Sequence, residues 1–406
     1  MNTKKEAIRA LAHEAALLPQ EEMLEVGKRH ERLTIGIPRE TSFQEKRVAL
    51  VPEAVAMLVA HGHEVVVEHD AGKEASFQDR DYSEAGARIV YDTKEVFQSN
   101  IILKVAPPSY DEVQMMPGKQ TLLSALQLTV QPVDSLKMMM AKKITAIAWD
   151  YVRDETGIFP VVRAMGEIAG NTSMLIAAEY LSNVNFGQGL MLGGISGVKP
   201  TEVVVLGAGT AGEFATRAAL GLGASVKVFD NSIYKLRRLQ NDLGQRLWTS
   251  TIQPSVLSEA LLNADVVIGA LRGELGRTPC VVTQEMVSSM KYGAVIVDIS
   301  IDQGGCFETS RVMNHDDPIF KEFGVIHYCV PNIASRVSRT ASYALSNIFA
   351  PILVSVGSEG GWTNAICRQE GLRDGVYLFK GTLVNEIIGE AFNIPYKSID
   401  LLLAAL

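Results

Sequence analysis

Arg47, Lys104, Gln127, Asp302 and Asn332 each stand at or just beyond a short apolar run: LTIGIP, NIILK, TLLSALQ, AVIVDIS and VIHYCV respectively. In open α/β sheets ligands gather beyond the carboxyl ends of the strands, so residues at such positions are the first candidates for chemistry. A guanidinium can hold a carboxylate through two parallel hydrogen bonds, the role expected of Arg47. Lys104 lies in apolar surroundings, where desolvation lowers an amine's pKa and suits it to moving protons or polarising a carbonyl. Asp302 precedes Gln303-Gly304-Gly305, where the glycine pair permits close backbone approach. Gln127 and Asn332 supply amides. One guanidinium, one ammonium, one carboxylate and two amides suit a small substrate bearing a carboxylate. Each residue also has a plain structural alternative. Arg47 could pair with Glu40 or Glu45 at the surface, Lys104 could snorkel from a strand end, and Asp302 and Asn332 could be ordinary turn residues.

A second group carries a different chemistry. Gly207-Ala208-Gly209-Thr210-Ala211-Gly212 follows the run VVVL and precedes a segment of helix-forming composition, the context a dinucleotide-binding loop requires. Gly207 makes the turn, Gly209 lets backbone amides approach a pyrophosphate, and Gly212 allows the helix to pack closely on the strand. Asp230 ends the next strand 23 positions after Gly207, near the spacing of about 20 expected for an acid that accepts ribose hydroxyls. A carboxylate there repels a 2′-phosphate, so the expected cofactor is NAD rather than NADP, with Arg237 and Arg238 close enough to weaken that preference. Ala270, at the end of DVVIGAL, is expected to line the cofactor site, and Asp302 and Asn332 its nicotinamide end.

The elements that must position these residues form two series of alternating strands and helices. Strand-like runs at 33–38, 63–69, 100–105, 121–127 and 144–150 make the first, with helices such as 53–62 and 94–99 between them. The second runs through 203–207, 225–230, 265–271, 294–300 and 325–330. Such alternation predicts an α/β fold of two doubly wound Rossmann-like domains with a cleft between them. The expected organisation is a helical extension at 1–31, a discontinuous substrate domain of 32–160 plus 340–406, and an NAD-binding domain at 161–339 that begins with a connecting helix. A net charge of −8 argues against a nucleic-acid partner, which needs a clustered positive field. Cys280, Cys306, Cys329 and Cys367 show no metal-ligand spacing and are expected to be reduced and mostly buried, with no metal bound. With no signal-like apolar core at the start and no long apolar run, a cytoplasmic protein without a membrane span is expected.

With these residues placed, the chain resembles the family of alanine dehydrogenases and nicotinamide nucleotide transhydrogenases from about Leu33 onward. The resemblance is carried by GIPRETSFQEKRVALVP (36–52), IILKV (101–105), MGEIAG (165–170), MLGGISGV (191–198), VVVLGAGTAG (203–212), VDISIDQGGCFE (297–308) and TASYALSN (340–347). The LGG pair and the IDQGGCFE run look more like alanine dehydrogenase. The resemblance implies reversible oxidative deamination: alanine, NAD and water give pyruvate, ammonium and NADH, in a homo-oligomer that is often a hexamer. By position it makes Arg47 and Lys104 the substrate-binding pair, Asp302 the catalytic aspartate and Asp230 the ribose ligand. It also exposes departures. Gln127 stands where alanine dehydrogenases have a histidine, and Gly166 and Asn171 stand where serine and arginine are usual. Glutamine has no titratable proton near neutral pH, so it can orient a substrate but cannot act as acid or base. His61, His63, His69 and His327 lie in or beside strands and offer no replacement. Two readings stay open: Lys104 and Asp302 manage the protons while Gln127 orients the substrate, or the chain is an NAD-binding sensor or partner-binding subunit. A soluble transhydrogenase subunit ranks third.

Overall fold

The computed structural model describes residues 31–126, 133–185, 187–273 and 277–405. The expected extension at 1–31, apart from Glu31, and Gln127 lie outside the described residues. Among the described residues, fifteen strands form two sheets. The first contains β1 (Thr34–Ile37), β2 (Glu64–Glu68), β3 (Arg88–Val90), β4 (Ile101–Leu103), β5 (Thr121–Ser124) and β6 (Thr145–Ala148), all parallel. The second is built from β7 (Glu202–Leu206), β8 (Ser225–Phe229), β9 (Trp248–Ser250), β10 (Val266–Gly269), β11 (Val295–Asp298), β12 (Ile319–Glu322) and β13 (Val325–Tyr328). A late hairpin, β14 (Val376–Phe379) and β15 (Thr382–Leu383), returns to the first sheet. There β14 lies antiparallel beside β6.

Strand order is β15-β14-β6-β5-β4-β1-β2-β3 in one sheet and β12-β13-β11-β10-β7-β8-β9 in the other. Each order reverses once, between β1 and β4 and between β7 and β10, and a crevice opens at such a reversal because the connections leave to opposite faces. The central strands IIL, TLLS, TAIA, VVIG and VIVD are buried along their whole length. Helices cover both faces, and this explains runs of apolar residues without alternation. The edge strands β3, β9 and β12 are short or half-exposed, so they lack the continuous apolar signal that marks the others.

Five helices matter for the site: α1 (Pro52–Ala60), α2 (Tyr110–Met115), α3 (Pro160–Leu181), α4 (Thr210–Gly221) and α5 (Ser338–Ser358). Helix α3 packs along α4, and Gly170 makes this possible: a Cβ there would sit 2.3 Å from the Ala211 carbonyl oxygen. Helix α5 packs into the core of the first sheet through Leu345, Phe349 and Leu353. The segment Ile333–Ser358 is long and apolar enough to cross a membrane by composition, but half of it is buried against the protein, as in a core helix. All four cysteines are free thiols. Only Cys306 and Cys329 are buried, whereas Cys280 and Cys367 are exposed, so the expectation of mostly buried thiols fails for half of them.

Candidate active site

The loop that carries Arg47 is suspended from the far end of the chain. The amides of Lys46, Val48 and Val51 donate to the hydroxyls of Ser335, Ser342 and Ser346 at 2.8–2.9 Å. Buried backbone amides need acceptors, and serines one turn apart on α5 supply two of them. The motif TASYALSN therefore fixes residues nearly three hundred positions upstream.

Within that loop Arg47 is fully engaged by a neighbour. Its Nε and Nη2 donate to Glu45 at 2.7 and 2.6 Å, and Nη1 lies 3.3 Å from Met165 Sδ. The pair is buried, with Arg47 7% exposed. Pairing with Glu45 was the structural alternative for Arg47, but it occurs in the interior rather than at the surface. A two-pronged grip on a substrate carboxylate therefore requires Glu45 to yield.

Lys104 follows β4 and is wholly buried, so it does not snorkel to solvent. Its Nζ donates to Glu112 at 2.7 Å and lies 3.4 Å from Glu40. Burial by itself lowers this ammonium, but the carboxylates of Glu40 and Glu112 outweigh it and hold Lys104 above the ordinary lysine value. The expectation of a depressed lysine is thus corrected, because sequence context showed the apolar strand and not the two acids folded against it. Glu112 belongs to a capping box at the start of α2 with Ser109 and also accepts from the Thr41 hydroxyl at 3.0 Å. Glu40 accepts from the amide of Val105 at 2.6 Å. Burial pushes its carboxyl up to about 7, opposed by Lys104 and reinforced by Glu45 and Glu112.

Across the crevice, Asp302 lies in a short helical turn after β11. Its Oδ1 accepts from the backbone amide of Asn332 at 2.9 Å. The carboxylate is crowded by protein on the crevice floor yet still reached by solvent. That crowding raises its pKa against the pull of the Asn332 amide and the Arg47 charge. Asn332 occupies a left-handed conformation, φ 54°, and its side-chain amide donates to Glu45 at 2.9 Å. Asp302, Asn332, Glu45 and Arg47 therefore form one continuous chain of polar contacts spanning both sheets. Asp298, which the sequence reading passed over, organises the turn: its carboxylate accepts from Ser300 and Cys306 amides and from the Ser310 hydroxyl.

Three further titratable groups border this region and were not singled out. Asp150, after β6, accepts from the Leu126 amide at 3.1 Å, and burial raises its carboxyl to about 6. The imidazole of His315 lies near the backbone of Asn332 and is lowered by burial first, then by Lys46 and Arg336. Glu40 is the third. A residue just after a buried strand was the available signal for Asp150, and proximity to the first-strand loop for Glu40. The remaining described histidines lie elsewhere: His61 and His63 just precede β2, His327 is buried within β13, and His69 pairs with Asp79 at an outer loop.

The glycine loop meets its requirements. Gly207 has φ +111°, and a Cβ there would lie 2.5 Å from the Ala270 carbonyl oxygen, so the loops after β7 and β10 touch at the point of strand reversal. A Cβ on Gly212 would sit 1.8 Å from the Gly207 oxygen. At Gly209 a Cβ would meet no protein atom within 4 Å, and this residue caps α4 with no side-chain acceptor for the helix's first amides. An uncapped helix start above open backbone is the cradle a pyrophosphate fits. Asp230 is buried, and its two oxygens accept from the amides of Ala208 and Ser232 at 2.8 and 2.7 Å. It braces the loop as well as offering free lone pairs. Arg238 donates to the Ala208 carbonyl at 3.2 Å and lies beside Glu213 and Asp242, so its charge is already balanced. These residues fit a dinucleotide with an unphosphorylated ribose. A cavity of about 290 Å³ lined by Lys119, Lys143, Trp362 and Lys380 opens at the amino ends of β5 and β6, away from this crevice.

Two family models cover the chain: "Alanine dehydrogenase/PNT, N-terminal domain" over residues 36–169 and "Alanine dehydrogenase/PNT, C-terminal domain" over 173–386. An alanine dehydrogenase of Mycolicibacterium smegmatis is 39% identical over 373 residues, covering 92% of this chain and all of that relative. One from Methanococcus maripaludis is 36% identical over 91% of this chain and 99% of its own length. Among solved structures, an L-alanine dehydrogenase superposes with a TM-score of 0.84 at 35% identity, covering 89% of this chain and 99% of the other. A transhydrogenase from Sinorhizobium meliloti shares the fold with a TM-score of 0.74 at 24% identity, over 87% and 99% of the two chains.

Proposed function

Because this chain belongs to the alanine dehydrogenase/PNT family, we propose that it catalyses the reversible NAD-dependent oxidative deamination of L-alanine, or a similarly small L-amino acid, to the 2-oxo acid and ammonium. The observation that carries this reading is the polar chain Asp302–Asn332–Glu45–Arg47 across the crevice, with Lys104 beside it.

In this reading NAD lies along Gly207, Ala208, Gly209, Thr210, Ala211, Gly212, Asp230 and Ala270, and supplies a hydride acceptor when bound. The first amides of α4 and the positive end of its dipole hold the diphosphate. Asp230 accepts the ribose hydroxyls, which favours NAD over NADP. Arg47 exchanges its contact with Glu45 for the substrate carboxylate, and Lys104 and Gln127 orient the substrate. Asn332 keeps Asp302 and Arg47 in register. Asp302, raised by its crowded surroundings, exchanges protons with the substrate nitrogen and the attacking water. A charged lysine cannot itself accept a proton, so Lys104 does so only after passing one to a neighbouring carboxylate. We extend the reading to a cytoplasmic homo-oligomer, a hexamer by family expectation.

The test is NADH formation with L-alanine and a panel of small L-amino acids, and NADH consumption with pyruvate and ammonium. Turnover with any of them supports the dehydrogenase. NADH binding without turnover of any substrate would reject it and leave the dinucleotide sensor as the better reading.

A further inference from the structure

Charges around the first crevice wall do not balance. Three carboxylates, Glu40, Glu45 and Glu112, surround two cations, Arg47 and Lys104, and every one of these side chains is at most 7% exposed. Glu45 takes Arg47 at 2.6 Å, and Glu112 takes Lys104 at 2.7 Å. Glu40 is the surplus acid. Its nearest cation is Lys104 at 3.4 Å, an ammonium already bound to Glu112, and its other partners are the amides of Val105 at 2.6 Å and Ala106 at 3.4 Å. A buried anion without its own counter-charge is costly, and a proton removes that cost.

The fold puts this surplus where chemistry is expected. Glu40 follows β1 and Lys104 follows β4, the two strands between which the order of the first sheet reverses. Their carboxyl ends therefore open together into the crevice. We propose that Glu40 is the positioning residue that holds the exchangeable proton of the site, loading and unloading it through Lys104. This rests on the dehydrogenase reading for its consequence, though not for its geometry.

The proton balance is explicit. Lys104, held above the ordinary lysine value, gives a proton to the Glu40 carboxylate only transiently, against the pKa difference, breaking an N–H bond and forming an O–H bond. The neutral lysine then takes a proton from the substrate ammonium, so the substrate amine becomes neutral and Lys104 an ammonium again. Deamination releases one net proton, and Glu40 returns it to solvent before the next turnover. Burial places Glu40 at about 7, with Lys104 opposing and Glu45 and Glu112 reinforcing the rise, so both of its forms are populated near neutrality. The charged groups facing it, among the described residues, are Lys104, Glu112, Glu45 and Arg47.

The experiment is a comparison of the wild-type protein with Glu40→Gln, which keeps an oxygen for the Val105 amide. Infrared difference spectra taken across pH should show one buried protonated carboxyl that is lost near pH 7 in the wild type and is missing in the variant. A Glu40 carboxyl that ionises in the ordinary carboxylate range overturns the proposal. In turnover, kcat/KM for deamination should rise with pH through about 7, and Glu40→Gln should lower it about 10²-fold and remove that rise, with NADH affinity unchanged. A variant that retains the same pH rise overturns it as well. If no amino acid turns over while the infrared signal titrates as described, the dehydrogenase reading fails and the proton site stands.

Discussion

Asn332 donates its backbone amide to Asp302 Oδ1 at 2.9 Å from a left-handed conformation, a contact that joins the loops after β11 and β13 within one wall of the crevice. The same residue reaches Glu45 through its side chain. The two roles are separable. Asn332→Gly keeps the left-handed backbone and the bond to Asp302 but takes a donor from buried Glu45, and is expected to raise KM for the amino acid with a small drop in Tm. Asn332→Ala adds backbone strain of about 1 kcal/mol and should lower Tm further. Equal kinetics for wild type and Asn332→Gly would show that the Glu45 contact is idle.

Arg47→Ala removes the proposed carboxylate clamp and also strands Glu45, 4% exposed, without its cation. Breaking such a buried pair costs about 3–5 kcal/mol. The expected result is a large rise in KM with NADH affinity nearly intact, accompanied by a lower Tm. Adding Glu45→Gln should recover much of the stability and none of the substrate affinity. Thermal melts and steady-state kinetics on the single and double variants separate the two effects.

The glycine loop offers a matched pair. Gly212→Ala forces a Cβ to within 1.8 Å of the Gly207 oxygen and should damage folding and cofactor binding together. Gly209→Ala meets no protein atom, so Tm should hold while NADH affinity falls, because the added methyl occupies space the diphosphate needs. Calorimetric titration with NADH decides the point; unchanged affinity in Gly209→Ala would move the cofactor away from this loop.

Asp230→Ala deletes an acceptor for the buried amide of Ala208 and the part-buried amide of Ser232, in addition to the ribose contact. Stranding buried donors costs about 1–3 kcal/mol each. Weaker NADH binding, reduced preference over NADPH and a lower Tm are expected together. Asp230→Asn should retain most of the stability and still lose cofactor discrimination.

Stability should depend on pH through Glu40. Its carboxyl titrates at about 7 when folded against an ordinary 4.5, so between these values the folded protein binds a proton that the unfolded chain does not. Stability therefore falls as pH rises from 4.5 to 7 and is level above, by about 3 kcal/mol in all. Glu40→Gln should be progressively favoured over wild type across that window. Melts at a series of pH values that show a constant difference would contradict a raised Glu40.

Much of this was legible in the sequence because it is local. Gly207, Gly209 and Gly212 have fixed tasks at fixed offsets, and buried parallel strands read as unbroken apolar runs such as IIL and VVVL. Edge strands such as β3 and β12 escaped because half-exposed pairing leaves no such run. Arg47, Lys104, Asp302 and Asn332 were identifiable from their place after strands, since the sheet topology dictates which ends face the crevice.

What the sequence determined by itself is the α/β fold, the cofactor loop and the family. What the tertiary structure alone decided is the charge state of the site. Whether Lys104 is raised or depressed depends on Glu40 and Glu112, and the freedom of Arg47 depends on Glu45 and on Asn332, 285 positions away. Secondary structure follows from neighbours along the chain, whereas Coulomb interactions and desolvation depend on neighbours in space. Only the reversal of strand order between β1 and β4 brings Glu40 beside Lys104.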